Sequence, residues 1–329
     1  MYIKKALRGA ALAILISTAM CTAAAAEWKF DKKISVVCPW GLGGGADTTI
    51  RKFAVMLNRV LDVDVEVVNV TGASGVYGAE YAHEQPADGY TFLLGTQSLI
   101  MQDLEGAMTT DFKTEFVPVV KLMHSVNIIA GSRKALREKG CRDFSALVAY
   151  AKENPGLVRA GMLSSTGVDG VSLRQTLTGL DVVILPFSSG EEMIAAIVEG
   201  EADIMVTGIS EISKYIQSGD IVPICAIAKK RLKVYPDIQC TADLGIESYM
   251  GPWRGLFAKR GTPDEAIEAL AIAAEKASTL PAWKDFLRMS SYDERTGFAP
   301  REEFTVLVAD EYTALTDFLK SEGLLKKTY

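Results

Sequence analysis

The residues with the most chemical content lie between Ile34 and Leu61. A short run of strand formers, Ile34–Cys38, enters Pro39-Trp40-Gly41-Leu42-Gly43-Gly44-Gly45-Ala46-Asp47. Ile50, Phe53, Ala54, Leu57, Val60 and Leu61 then recur at three- and four-residue spacing, the stripe of an amphipathic helix. Glycines strip side chains from the turn, so a ligand can approach main-chain N–H groups that the helix start leaves unpaired. Those groups and the positive end of the helix favour an anion. The stretch therefore reads as an anion-docking turn, against the plainer reading of a loop merely rich in glycine.

Two nucleotide readings compete with it. Gly41-x-Gly43-x-x-Ala46 fits a loose dinucleotide fingerprint, which needs an acidic residue closing the second strand to hold a ribose hydroxyl. The second strand, expected over 63–70, reaches Asn69 instead, and Glu66 lies in its middle. A phosphate-cradling Walker loop is excluded because no Gly-Lys-Ser or Gly-Lys-Thr follows.

Residues 1–26 carry Lys4, Lys5 and Arg8, a short apolar run, and then Ala24-Ala25-Ala26. That is the pattern of a secretory signal cleaved after about Ala26, and the expected location is the periplasm. Cys21 lacks the preceding residues of a lipoprotein site. Removing the leader takes away three basic residues and no acid, so the formal charge of −6 becomes −9. An acidic chain without a basic run argues against nucleic acid as a partner. It also leaves capture of an anion to local dipoles, since overall charge repels it. Four cysteines survive processing, at spacings that match no zinc pattern. Cys225–Cys240 is the nearest pair; a disulfide there and buried free thiols remain open alternatives.

The elements that must position the turn alternate between strand and helix, the mark of an α/β fold with mostly parallel sheets flanked by helices. Strands are expected at Ile34–Cys38, 63–69, 90–95, 127–130, Val158–Met162, 182–185, 203–207 and 221–228, and helices at 144–152, 171–178 and 191–199. Thr262-Pro263-Asp264-Glu265 reads as a capping box opening a further helix in a mostly helical tail. About 300 mature residues suit two lobes. The second lobe repeats the device of the first: Ser164, Ser165, Thr166 and Gly167 form a polar turn between strand and helix, and Ser188 and Thr207 sit where strands end. In open α/β sheets ligands bind beyond the carboxyl ends of strands. Ordinary capping by Ser and Thr is the competing reading of these turns.

These motifs, in this order, resemble those of the periplasmic solute-binding proteins of tripartite tricarboxylate transporters, the Bug proteins. The glycine turn is similar to that family's Pro-aromatic-x-x-Gly-Gly-x-x-Asp element. Asn69-Val70-Thr71-Gly72-Ala73-Ser74-Gly75 and Asp88-Gly89-Tyr90-Thr91 are similar to two further signatures, as are Ala202-Asp203 and Trp253-Arg254-Gly255-Leu256-Phe257-Ala258. The resemblance implies a two-lobed clamshell (Venus flytrap) with a discontinuous first lobe, 27–125 and 229–329. The second lobe, 126–228, is inserted through crossings near Val126 and Ile227. It also implies a function: holding a small organic carboxylate (a tricarboxylate, dicarboxylate, amino acid or aromatic acid) and delivering it to membrane permease subunits. A monomer with no cofactor, no metal and no catalytic residues is expected.

Carried over by residue, the ligand site comprises Pro39, Trp40, Gly41, Gly43, Gly44, Gly45, Ala46, Asp47, Thr96, Ser164, Ser165, Thr166, Gly167, Ser188 and Thr207. Two readings of Asp47 stand, contact with a ligand amine and a cap on its own helix, the second favoured. Trp40 offers a flat apolar wall or simply packs. The chain departs from the family in having Ser172-Leu173 for a His-Leu pair and Phe187-Ser188-Ser189-Gly190 where a lysine often stands, so ligand class does not carry across. Only His83 and His124 are present, and no Gly-x-Ser-x-Gly, HExxH or Cys-x-x-Cys occurs. A secreted hydrolase is the remote alternative, and a binding protein that signals to a sensor the nearer one.

Overall fold

Val36 and Val37, neighbours in the first strand, are both fully buried but belong to different hydrophobic clusters. Adjacent side chains on a strand face opposite ways, so this sheet is covered on both sides. The computed structural model describes residues 28–163 and 167–327; the expected leader, residues 1–26, lies outside them, as do Ser164, Ser165 and Thr166.

The molecule is a two-lobed α/β protein. The first lobe is built on β1 (Ile34–Cys38), β2 (Val65–Asn69), β3 (Thr91–Gly95), β4 (Phe116–His124) and β11 (Trp253–Lys259), in the order β2-β1-β3-β11-β4. The second is built on β5 (Asn127–Ser132), β6 (Val158–Met162), β7 (Val182–Pro186), β8 (Ile204–Gly208), β9 (Ile221–Ala226) and β10 (Gln239–Cys240), in the order β10-β9-β5-β8-β6-β7. Ile128 and Ile129 again divide between two clusters. Each lobe thus has two cores separated by a sheet. The sheets are more mixed than expected: β11 runs antiparallel to β3 and β4, and β5 antiparallel to β8 and β9. These are the strands by which the chain enters the second sheet and returns to the first, so their direction follows from the crossing.

The first crossing lies between His124 and Asn127, where β4 leaves one sheet and β5 starts the other. The return comes later than Ile227. β10 still pairs in parallel with β9, matching Gln239 to Cys225 and Cys240 to Ala226, and Leu232 and Cys240 are buried in a second-lobe core. The chain re-enters the first sheet only at Trp253. A two-residue strand among charged and proline residues carries too weak a pattern to be read from sequence. Cys38, Cys141, Cys225 and Cys240 are all buried free thiols, which resolves the alternatives left open for the Cys225–Cys240 pair.

The expected capping box does not form. Pro263, at φ −52° and ψ 131°, is itself the cap of the helix Asp264–Thr279, so that helix starts one residue late for Thr262. The Thr262 hydroxyl is buried without a hydrogen-bond partner. The helix expected from Val171 starts earlier, at Val168, because Gly167 ends the extended segment.

Candidate functional site

The helix after the glycine turn spans Gly45–Leu61 and is capped by Gly44, which has no side chain to occupy the first amides. Its first main-chain bond is Thr48 N–H to Gly44 O, 2.9 Å, so the amides of Gly45, Ala46 and Asp47 precede the helical ladder. Gly43 stands at φ +77°, a left-handed conformation that glycine adopts at little cost. The turn is held from behind by Asp47. Its Oδ2 accepts the Gly43 N–H at 3.0 Å, and its Oδ1 accepts Arg51 Nε at 2.9 Å and Asn69 Nδ2 at 2.9 Å. The other bond from Asn69 Nδ2 goes to Trp40 O, 2.8 Å. Burial pushes the Asp47 carboxyl up, but Arg51, the Gly43 amide and Asn69 outweigh it and hold the group below its ordinary value. Asp47 is therefore a brace inside the turn, and it does not line the cavity described below.

Opposite ends of other elements converge on this turn. Thr96, following β3, caps the helix Gln97–Leu104 by accepting the Ser98 N–H at 3.1 Å. Gln97 is fully buried and ties that helix to the returning strand, donating to Gly251 O at 2.7 Å and accepting Trp253 N–H at 3.1 Å. From the second lobe come Gly167, capping the helix Val168–Thr176, and Gly208, capping the helix Ile209–Ser218, neither with a side-chain cap. The register of β5 places Asn127 opposite Gly208. Together these residues line one cavity of about 770 Å³ between the lobes.

Of the sequence-derived site residues, Trp40, Gly41, Gly43, Gly44, Gly45, Ala46, Thr96 and Gly167 line this cavity. Pro39 does not; its ring is covered by the segment at Gly75 and Gly78, where an added Cβ would meet it at 3.3 and 2.7 Å. Ser188 lies on an exposed turn, its N–H donating to Glu192 Oε2 at 3.0 Å. Thr207 is buried and donates its hydroxyl to Glu211 Oε2 at 2.8 Å; Glu211, not Thr207, reaches the cavity. Ser164, Ser165 and Thr166 lie outside the described residues.

Four charged liners were not among the expected residues: Arg254, Asp169, Glu191 and Glu211. Arg254, near the start of β11, donates to Thr49 Oγ1 at 3.2 Å and lies 5.4 Å from the Tyr292 ring centroid. No carboxylate pairs with it among the described residues, while the turn amides stand beside it. Asp169 accepts Asn127 Nδ2 at 2.6 Å; burial, then the nearby Glu211 carboxylate, push its pKa up to about 7. The sequence signal for Arg254 was present, inside a matched motif, but nothing local says that β11 begins at the cleft.

Neither histidine adjoins this cavity. His83 Nε2 meets Glu115 Oε2 at 3.1 Å. His124 sits at the first crossing with its Nε2 2.9 Å from Arg295 Nη1, and Arg295 Nη2 donates to Ile227 O at 2.7 Å. Burial, with Arg295 and Lys121 adding to it, holds the His124 pKa well below its ordinary value. No group of three or more metal-ligating side chains occurs among the described residues.

The family model described as the tripartite tricarboxylate transporter family receptor matches residues 49–323. Protein BugT of Bordetella pertussis is 26% identical over 269 residues, covering 79% of this chain and 81% of BugT. An R. palustris protein solved with adipate superposes with a TM-score of 0.76 at 22% identity, over 89% of this chain and 98% of that one. MatC from Rhodopseudomonas palustris, solved with bound malate, gives 0.71 at 23% identity, over 88% and 99%. Those two likenesses establish the two-lobed binding-protein fold. By its sequence match and its architecture together, the chain belongs to the tripartite tricarboxylate transporter receptor family.

Proposed function

We propose that this protein is an exported solute-binding protein that takes a small organic carboxylate into the interlobe cleft and delivers it to a membrane permease. One observation carries the reading. A glycine-capped helix start and the guanidinium of Arg254, which has no carboxylate partner among the described residues, face the same cavity from the first lobe. Each hydrogen bond to a charged group contributes roughly 1.5–3 kcal/mol net; four such bonds, about 6–12 kcal/mol, bracket the ~8 kcal/mol of micromolar affinity. That solved structures of similar fold include one with adipate and one with bound malate supports the same ligand class here.

The ligand is held by Trp40, Gly41, Gly44, Gly45, Ala46 and Thr96 on one side and by Gly167, at the start of the helix Val168–Thr176, on the other. No covalent step is required, and the protein is not an enzyme on this reading. The second lobe is an insertion, and the two crossings, 125–126 and 241–252, act as the hinge. A ligand that touches both walls favours the closed arrangement, and closure presents a changed surface to the permease. The leader directs the chain to the periplasm, where it acts as a monomer; no described helix is long and apolar enough to cross a membrane.

Thermal unfolding against a panel of organic acids tests this. At about 100 times the dissociation constant a binding acid should add roughly 2.7 kcal/mol of stability. A panel in which no acid shifts the midpoint, with phosphate or a nucleotide shifting it instead, would reject the reading. For the permease, deletion of the cognate membrane subunits should abolish uptake of the acid; uptake left intact would reject the delivery role.

A further inference from the structure

The two walls of the cleft differ in charge. Among the described residues that line it, Arg254 is the basic side chain and belongs to the first lobe, whereas Asp169, Glu191 and Glu211 all belong to the second. The helix starts differ accordingly. In the first lobe the acid of the first turn, Asp47, is turned inward and countered by Arg51 and Asn69, which leaves its helix end open to an anion. In the second lobe the first turns carry their own carboxylates, Asp169 and Glu211, so those ends are already neutralised.

An independent observation points to what the second wall lacks. Asn127 is 1% exposed and borders the cavity, and its Oδ1 has no hydrogen-bond partner. Its Nδ2 is committed to Asp169 Oδ1 at 2.6 Å, which fixes the amide with its acceptor free. Thr207 Oγ1 donates to Glu211 Oε2 at 2.8 Å and so holds that carboxylate at the cleft edge. The subsite therefore presents acceptors from Asn127, Asp169 and Glu211. Among the described residues the Asn127 oxygen has no donor. The two carboxylates have one side-chain donor each, Asn127 Nδ2 and the Thr207 hydroxyl, which leaves lone pairs on both to accept more. A buried acceptor left alone is costly. A second carboxylate on the ligand would meet like charges there; an ammonium, with three donors and no acceptor, fits the set.

We propose that the molecule held in this cleft carries a cationic amine as well as a carboxylate, an α-amino acid or similar zwitterion, with its ammonium among Asn127, Asp169 and Glu211. This rests on the carboxylate reading above and narrows it. The carboxylate lies against the Gly45 helix end and Arg254, and the amine against the second lobe, so the ligand itself neutralises the charge difference between the walls. The raised Asp169 pKa is a consequence of the same unbalanced wall: without a cation the carboxyl is poorly solvated and faces Glu211.

Calorimetric titration of the purified full chain at pH 7.5 with matched pairs tests it: L-aspartate and succinate, L-glutamate and glutarate, L-phenylalanine and 3-phenylpropanoate. The amine-bearing member of at least one pair should bind at least tenfold tighter than its partner. Asp169→Asn with Glu211→Gln should weaken that member at least tenfold and leave the amine-free partner unchanged or tighter, with the unfolding midpoint of the free protein no lower than that of the native chain. Glu211→Gln alone, at an exposed position, serves as a variant that keeps the fold and should show the same direction. Amine-free acids binding as tightly as their partners would overturn this inference and leave the carboxylate reading standing. No binding by any member, and none in the wider acid panel, would remove both.

Discussion

A Cβ placed on Gly45 would stand 2.7 Å from Nη2 of Arg254, a separation that side chains essentially never show. The missing side chain at 45 is what lets the guanidinium lie over the start of the helix, beside the open amides. Gly45→Ala should therefore leave the fold intact, because the tip of Arg254 can swing away, while lowering acid affinity about tenfold by moving the cation. Titration calorimetry with a bound acid checks this; unchanged affinity would mean that the guanidinium does not touch the ligand.

Arg254→Met keeps much of the side chain's packing and removes its charge. The expected loss is that of one charge-assisted hydrogen bond, about 1.5–3 kcal/mol, or ~10- to 150-fold in dissociation constant. The midpoint of unfolding without ligand should move little, since the residue is partly exposed and pairs with no carboxylate. A large midpoint drop with full affinity would assign Arg254 to the fold instead.

Asp47→Ala removes acceptors from Gly43, Arg51 and Asn69 at once. A stability loss of about 1–3 kcal/mol is expected, together with loss of binding as the turn loosens. Because the carboxyl is held below its ordinary 3.8, its contribution is present above that value and disappears as pH falls through the lower folded value. The difference between native and variant proteins in chemical denaturation should thus be full at pH 7 and shrink in acid. A difference that grows as pH falls would contradict the assigned role.

Asp169 has the opposite sign. Its carboxyl is raised from 3.8 to about 7, so its stabilising contribution is complete below 3.8 and is lost as pH rises towards and past 7. Asp169→Asn, which mimics the protonated form, should raise the unfolding midpoint of the ligand-free protein at pH 8 by about 1 kcal/mol, roughly 2 °C or more. The gain should fade towards pH 4. A variant less stable than the native chain at pH 8 would show that the ionised carboxyl is well accommodated.

Trp40 and the glycine run could be assigned from sequence because their chemistry is local. A strand, a side-chain-free turn and an apolar stripe at helical spacing occupy one continuous segment, and the open amides follow from backbone geometry alone. Thr96 and Gly167 were legible for the same reason, each sitting at the junction of a strand and a helix. Ser188 and Thr207 had the same local signature but do not line the cleft. Both are engaged with glutamates four residues on, Glu192 through the Ser188 main chain and Glu211 through the Thr207 hydroxyl, and sequence does not show which partner of such a pair faces outward.

The sequence by itself determined the alternation of strands and helices, the glycine turn with its open amides and the family, because each depends on near-neighbour pattern. Tertiary structure alone decided the polarity of the cleft. Arg254 reaches the turn because β11 runs antiparallel between β3 and β4, and Asn127 meets Asp169 because β5 begins at the crossing, 42 residues earlier in the chain. Charges brought together over such separations leave no periodic trace, since nothing about their spacing along the chain is constrained once the sheets set their positions.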